Sequence, residues 1–230
     1  MHMRIALAAG LIACLVSPLA LTADDDSAAW AIVSAAGRFD SAGEASPWRW
    51  SAASQWRAFE RGSGSDQYVL RGGVGYDFRP RMSLWAGYDY FYTDPDGGSG
   101  RYEHRFWQQF LWSAARWDWG SLSLRTRLEE RNLEDASDAG FRLRQLVQLA
   151  VPLPARELTL IASTEHFTNL DDTDYGARAG FDQLRSYAGV RMPVTERSSL
   201  EAGYMNQWIN RSGNRDAVNH TAMLHLRLSF

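Results

Sequence analysis

Ser121-Leu122-Ser123-Leu124-Arg125-Thr126-Arg127-Leu128-Glu129-Glu130-Arg131 decides the fold. Ser121, Ser123, Arg125, Arg127, Glu129 and Arg131 share one parity, and Leu122, Leu124, Thr126 and Leu128 share the other. A strand sends successive side chains to opposite faces, so the segment has one charged face and one apolar face. At helical spacing the same charges would scatter around the axis. The period is two, and the segment is a strand.

The unit recurs along the chain. Arg49, Ser51, Gln55 and Arg57 oppose Trp48, Trp50, Ala52, Trp56 and Ala58; Gln67, Arg71, Gly73 and Asp77 oppose Tyr68, Leu70, Val74 and Tyr76. Gly87 and Asp89 oppose Leu84, Ala86, Tyr88, Tyr90 and Tyr92; Glu103, Arg105 and Gln109 oppose Phe106, Phe110 and Trp112, with Trp107 an exception on the charged side. Arg142, Arg144, Gln148, Ser163, Glu165, Gln183, Arg185, Tyr187, Arg191, Glu201 and Gln207 continue the polar series. Compact connectors (Phe78 to Arg81, Arg116 to Asp118, Pro152 to Pro154, Val194 to Glu196) alternate with longer ones rich in Gly, Asp, Ser or Asn. These are Arg61 to Ser65, Asp94 to Gly100, Asp135 to Gly140, Asn169 to Gly180 and Asn210 to Asn214. Such alternation describes an all-β fold: a closed, antiparallel, up-and-down transmembrane β-barrel of about 10–12 strands. Ten strands are legible from about Pro47 to Phe230. Ala29 to Ala36 is an eleventh candidate, at odds with the even strand number usual in bacterial barrels. It either joins a twelve-stranded barrel or lies outside the ten.

Both ends of the chain point to export. Arg4, the apolar run Ile5 to Val16 and the small residues up to Ala23 precede Asp24-Asp25-Asp26. This is the layout of a secretory signal peptide, residues 1–23, leaving 24–230 as the barrel. Leu11-Ile12-Ala13-Cys14 also resembles a lipobox, although the residues after it are apolar where a lipoprotein has a polar tether. Cys14 is the single cysteine, so the mature chain is expected to hold no disulfide. In the last segment His220, Ala222, Leu224, Leu226, Leu228 and the terminal Phe230 share one face. Leu224, Leu226, Leu228 and Phe230 are the expected signal for the barrel-assembly machinery of the outer membrane.

Composition narrows the classes. No stretch after the leader supplies the roughly 20 apolar residues of a spanning helix, while a mean hydropathy of -0.36 is compatible with strands whose faces average out. Aromatic residues make up 13%, which suits a membrane–water interface. The 24 basic residues are all arginine. A net charge of -3 gives no global basic field, so nucleic acid is not an expected partner.

Several motifs carry a family likeness: Tyr102-Glu-His-Arg-Phe-Trp-Gln-Gln109, Arg125-x-Arg-x-Glu-x-Arg131, Arg142-x-Arg144, Glu165-His-Phe167, Gly180-Phe-Asp-Gln183 and Gly203-Tyr-Met-Asn-Gln207. They resemble the Gram-negative proteins grouped as domain of unknown function 2490, across essentially the whole mature chain. The resemblance implies an outer-membrane barrel and carries over no catalytic residue.

With lipid on the apolar face, the polar parity lines a narrow lumen. Candidate lining residues are Arg57, Arg71, Glu103, Arg105, Arg125, Arg127, Glu129, Arg131, Arg142, Arg144, Glu165, Arg185, Tyr187, Glu201 and Gln207. Two readings of this set stay open. One is an ion-pair ladder that closes the lumen and fixes register, giving a structural or assembly barrel. The other is a narrow pore or binding barrel favouring small anionic solutes, because arginine outnumbers acid. An outer-membrane hydrolase is a third reading, but no mature histidine (His104, His166, His220, His225) has a serine at i+2 on its own strand. No catalytic residue, metal ligand or cofactor is expected; the acidic loop residues Asp171, Asp172 and Asp174 read as solvated. Outer-membrane lipid and the assembly machinery are the expected partners, with a small solute in the lumen.

Overall fold

A computed structural model describes residues 24–41, 44–60, 66–95, 98–153, 155, 157–211 and 215–230. The leader expected at 1–23 and the loop Arg61 to Ser65 lie outside the described residues. Eleven strands follow one another: β1 (Asp24–Ser41), β2 (Glu44–Phe59), β3 (Asp66–Arg79), β4 (Met82–Asp94), β5 (Arg101–Trp117), β6 (Gly120–Leu133), β7 (Ala139–Leu153), β8 (Leu158–Asn169), β9 (Gly180–Thr195), β10 (Ser198–Ile209) and β11 (Ala217–Ser229). Each pairs with its neighbour in sequence, and β1 pairs with β11, so the sheet closes on itself. At strand spacings of about 4.8 Å and tilts of about 40°, eleven strands enclose a backbone cylinder about 11 Å in radius.

The expected closed, up-and-down, all-β barrel is present, and the segment around Ala29 to Ala36 is a full barrel strand. The count is therefore odd, neither ten nor twelve. Ten successive reversals bring β11 into the same direction as β1, so the closing pair is parallel (Asp24 opposite Ala217, Ala36 opposite Ser229), while all the others are antiparallel. The odd count also puts the two ends of the barrel chain at opposite mouths. Asp24 N donates to Asp216 O at 2.9 Å beside the longer loops, and Phe230 N donates to Ala36 O at 2.9 Å beside the short turns. We call these the long-loop end and the short-turn end.

Parity sorts the side chains as the alternation predicts. Trp48, Leu70, Leu84, Phe106 and Leu224 stand on the outer wall, 49–57% exposed, while Asp89, Glu129 and Thr221 on the inner parity are fully buried. Trp107 and Tyr187 also belong to the inside, and glycines make room for them. A Cβ on Gly73 would lie 2.5 Å from the Trp107 ring, and one on Gly87 would collide with it. Gly73 and Gly87 face each other across β3 and β4, so the indole lies flat over a bare stretch of wall. Leu224 and Phe230 are exposed on the outside, and the Phe230 ring packs 5.9 Å from Trp50. Two turn residues at the short-turn end, Arg81 and Glu157, hold positive φ (69° and 52°).

Candidate functional site: the arginine-lined lumen

Register brings the charged residues of adjacent strands into contact. Asp89 on β4 accepts hydrogen bonds from Arg71 Nε (2.9 Å) and Trp107 Nε1 (2.7 Å), and Arg127 Nη1 stands 3.7 Å away. Glu129 on β6 accepts from Arg142 Nη2 (2.8 Å) and Arg144 Nη1 (2.6 Å). Glu165 on β8 is held by Arg144 Nε at 2.8 Å and by Arg125. Glu103 is gripped by Arg105 through both Nε and Nη2 (2.7 Å each) and by Arg131 Nε (2.6 Å). Nearer the short turns, Glu201 joins Arg191 (2.7 Å) and Arg227 (3.3 Å). Every inner carboxylate in this set has at least two guanidiniums, the planar donor fork suited to it.

Arginine is in excess, and aromatic rings take up part of it. The Arg105 guanidinium carbon lies 3.5 Å from the centre of Phe91, Arg127 lies 4.1 Å from Trp107, and Arg144 lies 4.5 Å from Phe167. These are cation–π contacts, which stabilise a desolvated cation in addition to the carboxylates that Arg105, Arg127 and Arg144 already meet. Arg57 and Arg185 depend on them most. Arg57 donates to the amide oxygens of Gln55 (3.0 Å) and Gln67 (3.3 Å), and Arg185 Nε donates to Gln183 (3.1 Å). Both guanidiniums sit over the same indole, Trp30, at 4.1 and 5.2 Å. Among the described residues neither forms an ion pair, although Arg185 stands opposite Glu165, which Arg125 and Arg144 hold.

Three cavities follow the barrel axis. One of about 290 Å³ at the long-loop end is lined by six arginines and one acid, Asp26. The next, about 220 Å³ at mid-height, is lined by eight arginines and two glutamates. Trp30, Arg57, Arg105, Arg142 and Arg185 border both, so they form the waist between them. The third, about 560 Å³ under the β3–β4 turn, has Arg38, Arg49, Arg79 and Arg81 against Asp77.

The 170–179 loop covers part of the long-loop mouth. Asp174 accepts from Ser137 N (2.8 Å) while its own N–H donates to Asp138 (2.8 Å), and Asp171 accepts from Phe141 N (2.9 Å). The acidic residues are thus engaged in tying two loops together. Among the described residues no cluster of His, Cys, Asp or Glu is arranged to hold a metal ion. Tyr175 is set down over Arg131, 5.7 Å from the guanidinium, and burial pushes its phenol pKa up.

All fifteen candidate lining residues face the interior. Twelve of them border the two inner cavities; Glu103, Arg127 and Glu129 lie in the ion-pair clusters. The reading of the sequence did not single out Trp30, Trp85, Phe91 or Phe167, the rings beneath the arginines. Their signal was parity: each is an aromatic residue on the polar face, as Trp107 is. It also missed a pair across the seam. Ser34 on β1 shares a hydrogen bond of 2.7 Å with His225 Nε2 on β11, a contact outside any search within one strand.

The family model described as "Protein of unknown function (DUF2490)" matches residues 27–219. The chain is a DUF2490 protein. An uncharacterized protein of Methylorubrum extorquens is 34% identical over 163 residues, covering 70% of this chain and 72% of the relative. No solved structure matches. The matched span runs from the first turn of β1 wall residues into β11, so the DUF2490 region takes in nearly all of the barrel.

Proposed function

We propose that this DUF2490 barrel spans a bacterial outer membrane and takes small anionic solutes into its lumen, as a binding barrel or narrow pore. The observation that carries the reading is the arginine excess at every level of the interior. Among the described residues, Arg57 and Arg185 at the waist form no ion pair within 4 Å, and Glu165, opposite Arg185, is already held by Arg125 and Arg144. Rings of one charge sign set the sign of the ion a narrow passage admits. An outer wall of Trp, Tyr, Phe and Leu supports the membrane location. The outward row Leu224, Leu226, Leu228 and Phe230 supports delivery by the barrel-assembly machinery. The reading includes no catalytic step.

Reversal potentials in planar bilayers under a salt gradient test it. Anion selectivity is expected, reduced in Arg57→Gln; cation selectivity would overturn the reading. A second reading, a closed structural barrel, is favoured by Glu129 and Asp89, which are completely buried under arginine. It predicts neither conductance nor anion binding. Fractionation of cells is expected to place the chain with the outer membrane; recovery in the soluble periplasm would remove the membrane part of the proposal.

A further inference from the structure

The waist carries more information than its charge. Around Trp30 lie five side-chain polar atoms that are buried and meet no partner inside the protein: Trp30 Nε1, Gln55 Nε2, Arg57 Nε, Gln207 Oε1 and Thr221 Oγ. All five residues are at least nine-tenths buried. Buried polar groups are costly unless hydrogen-bonded. Asp89 Oδ2, Arg125 Nε, Arg127 Nη1, Tyr175 OH and Arg227 Nε are likewise unpartnered elsewhere. Only around Trp30 do such donors and acceptors gather beside two arginines that form no ion pair, and that combination marks a place suited to a polar ligand. The wall is continuous: Trp30 is opposite Arg57, Arg185 is opposite Gln207, and Gln207 is opposite Asn219. Gln183 Oε1 accepts from both Arg185 (3.1 Å) and Gln207 Nε2 (2.6 Å), which keeps the Gln207 oxygen available as an acceptor.

We infer that the Trp30–Arg57–Arg185 site recognises a doubly charged tetrahedral oxyanion, a phosphate or phosphate monoester, in preference to a monocarboxylate; this rests on the anion reading above. Two guanidiniums on one indole place two positive charges side by side. One carboxylate has two oxygens and a single negative charge. It can accept two guanidiniums, as Glu103 does from Arg105 and Arg131. Here it would leave one of the two positive charges unbalanced, with fewer lone pairs to spare for the indole and amide donors. A phosphate group presents three or more oxygens, enough for both forks and for the donors Trp30 Nε1 and Gln55 Nε2. Its double charge matches the pair of arginines. The Gln207 oxygen needs a donor, which a P–OH group or a hydroxyl of the ester's carrier supplies. Asp26, at the rim of the long-loop cavity, lies on the approach and disfavours anions less than a carboxylate at the waist would.

The full-length barrel, refolded in detergent micelles, is titrated calorimetrically at pH 8 and matched ionic strength with sodium phosphate, sodium glycerol phosphate and sodium acetate. Phosphate or its glycerol ester is expected to bind at least about tenfold more tightly than acetate, a difference that one additional charge-assisted fork is large enough to supply. Tighter binding of the ester identifies a phosphorylated metabolite as ligand; tighter binding of the free ion identifies phosphate itself. Arg57→Lys keeps the charge and loses the fork, and is expected to lose most of the preference. Equal affinities in the wild type, or a preference intact in the Arg57→Gln/Arg185→Gln double variant, overturn the inference. If acetate and phosphate bind equally while bilayer currents remain anion-selective, only this inference fails. If neither binds and no anion selectivity exists, the anion reading fails with it. Should the double variant not refold, the wild-type comparison and Arg57→Lys decide the matter.

Discussion

On the β4–β8 wall, Asp89, Glu103, Glu129 and Glu165 each hold two or more guanidiniums, whereas on the upper β9–β2 wall Arg57 and Arg185 hydrogen-bond to amides, stack on aromatic rings and form no ion pair among the described residues. The same side chain therefore does two different jobs in one lumen. Where a carboxylate is clasped, charge is neutralised locally, the geometry is over-determined, and the contacts fix the register of neighbouring strands. Where arginine rests on indole, its field is left directed into the cavity. A ligand gains from the second arrangement and nothing from the first.

Removing a clasped carboxylate tests the difference most severely. Glu129 is fully buried and joins Arg142 and Arg144, with Arg127 at 3.6 Å. Glu129→Gln removes the charge these cations share and leaves Arg144 with only Glu165, Arg142 with only Asp182 and Arg127 with only Asp89. Breaking a buried pair costs about 3–5 kcal/mol, which is the upper end expected here. A large fall in the urea midpoint of the refolded barrel is the expected result, with loss of the compact heat-modifiable band on gels. A midpoint within experimental scatter of wild type would show that the clasps do not hold the wall together.

A smaller effect is expected where packing, not charge, supports a clasp. Gly87→Val drives a branched side chain into the Trp107 ring, whose N–H donates to Asp89. Overpacking of this kind costs about 1–3 kcal/mol. Because Asp89 would lose a donor, Gly87→Val and Asp89→Asn together are expected to cost less than the sum of the two alone. Strict additivity in that double-mutant cycle would separate Trp107 from the clasp.

The clasped wall was the legible part of the sequence. Alternation in Ser121 to Arg131 assigns a face to each residue, and a closed meander then makes contact partners of neighbouring strands. The other wall was harder to read for two physical reasons. Strand β1 is rich in alanine (Ala28, Ala29, Ala31, Ala35, Ala36), so its period-two contrast is weak and Trp30 did not stand out. Closure, moreover, is a property of the whole count. Nothing local to β1 or β11 says whether they run parallel, and Ser34 and His225 are 191 residues apart. The arginine–aromatic stacks escaped notice because an aromatic residue on a polar face reads as an exception until its cation is placed.

That seam supplies a further measurement on the less constrained wall. Ser34→Ala removes the hydroxyl that joins β1 to β11 and leaves His225 Nε2 without its partner. One such hydrogen bond is worth about 1 kcal/mol. The loss is expected to appear as a modest drop in midpoint with anion selectivity unchanged. A drop as large as that of Glu129→Gln would mean that the parallel seam, and not the clasped wall, limits stability.

The smallest stability change is expected where the functional change is largest. Arg57→Gln and Arg185→Gln take away cations that repel each other and form no ion pair within 4 Å among the described residues, and Glu165, opposite Arg185, keeps Arg125 and Arg144. What each loses is a cation–π contact, worth about 0.5–2 kcal/mol, and what each gains is relief of like-charge repulsion and of burying a cation, contributions of opposite sign. The net shift in urea midpoint is therefore expected to be small, within about 1 kcal/mol of wild type, while the bilayer reversal potential moves toward zero. Adding Glu129→Gln to Arg57→Gln should come close to the loss of Glu129→Gln alone, because no residue hydrogen-bonds to both. If Arg57→Gln instead destabilised the barrel as much as Glu129→Gln does, the waist would be part of the scaffold, and the contrast between the two walls would have no functional meaning.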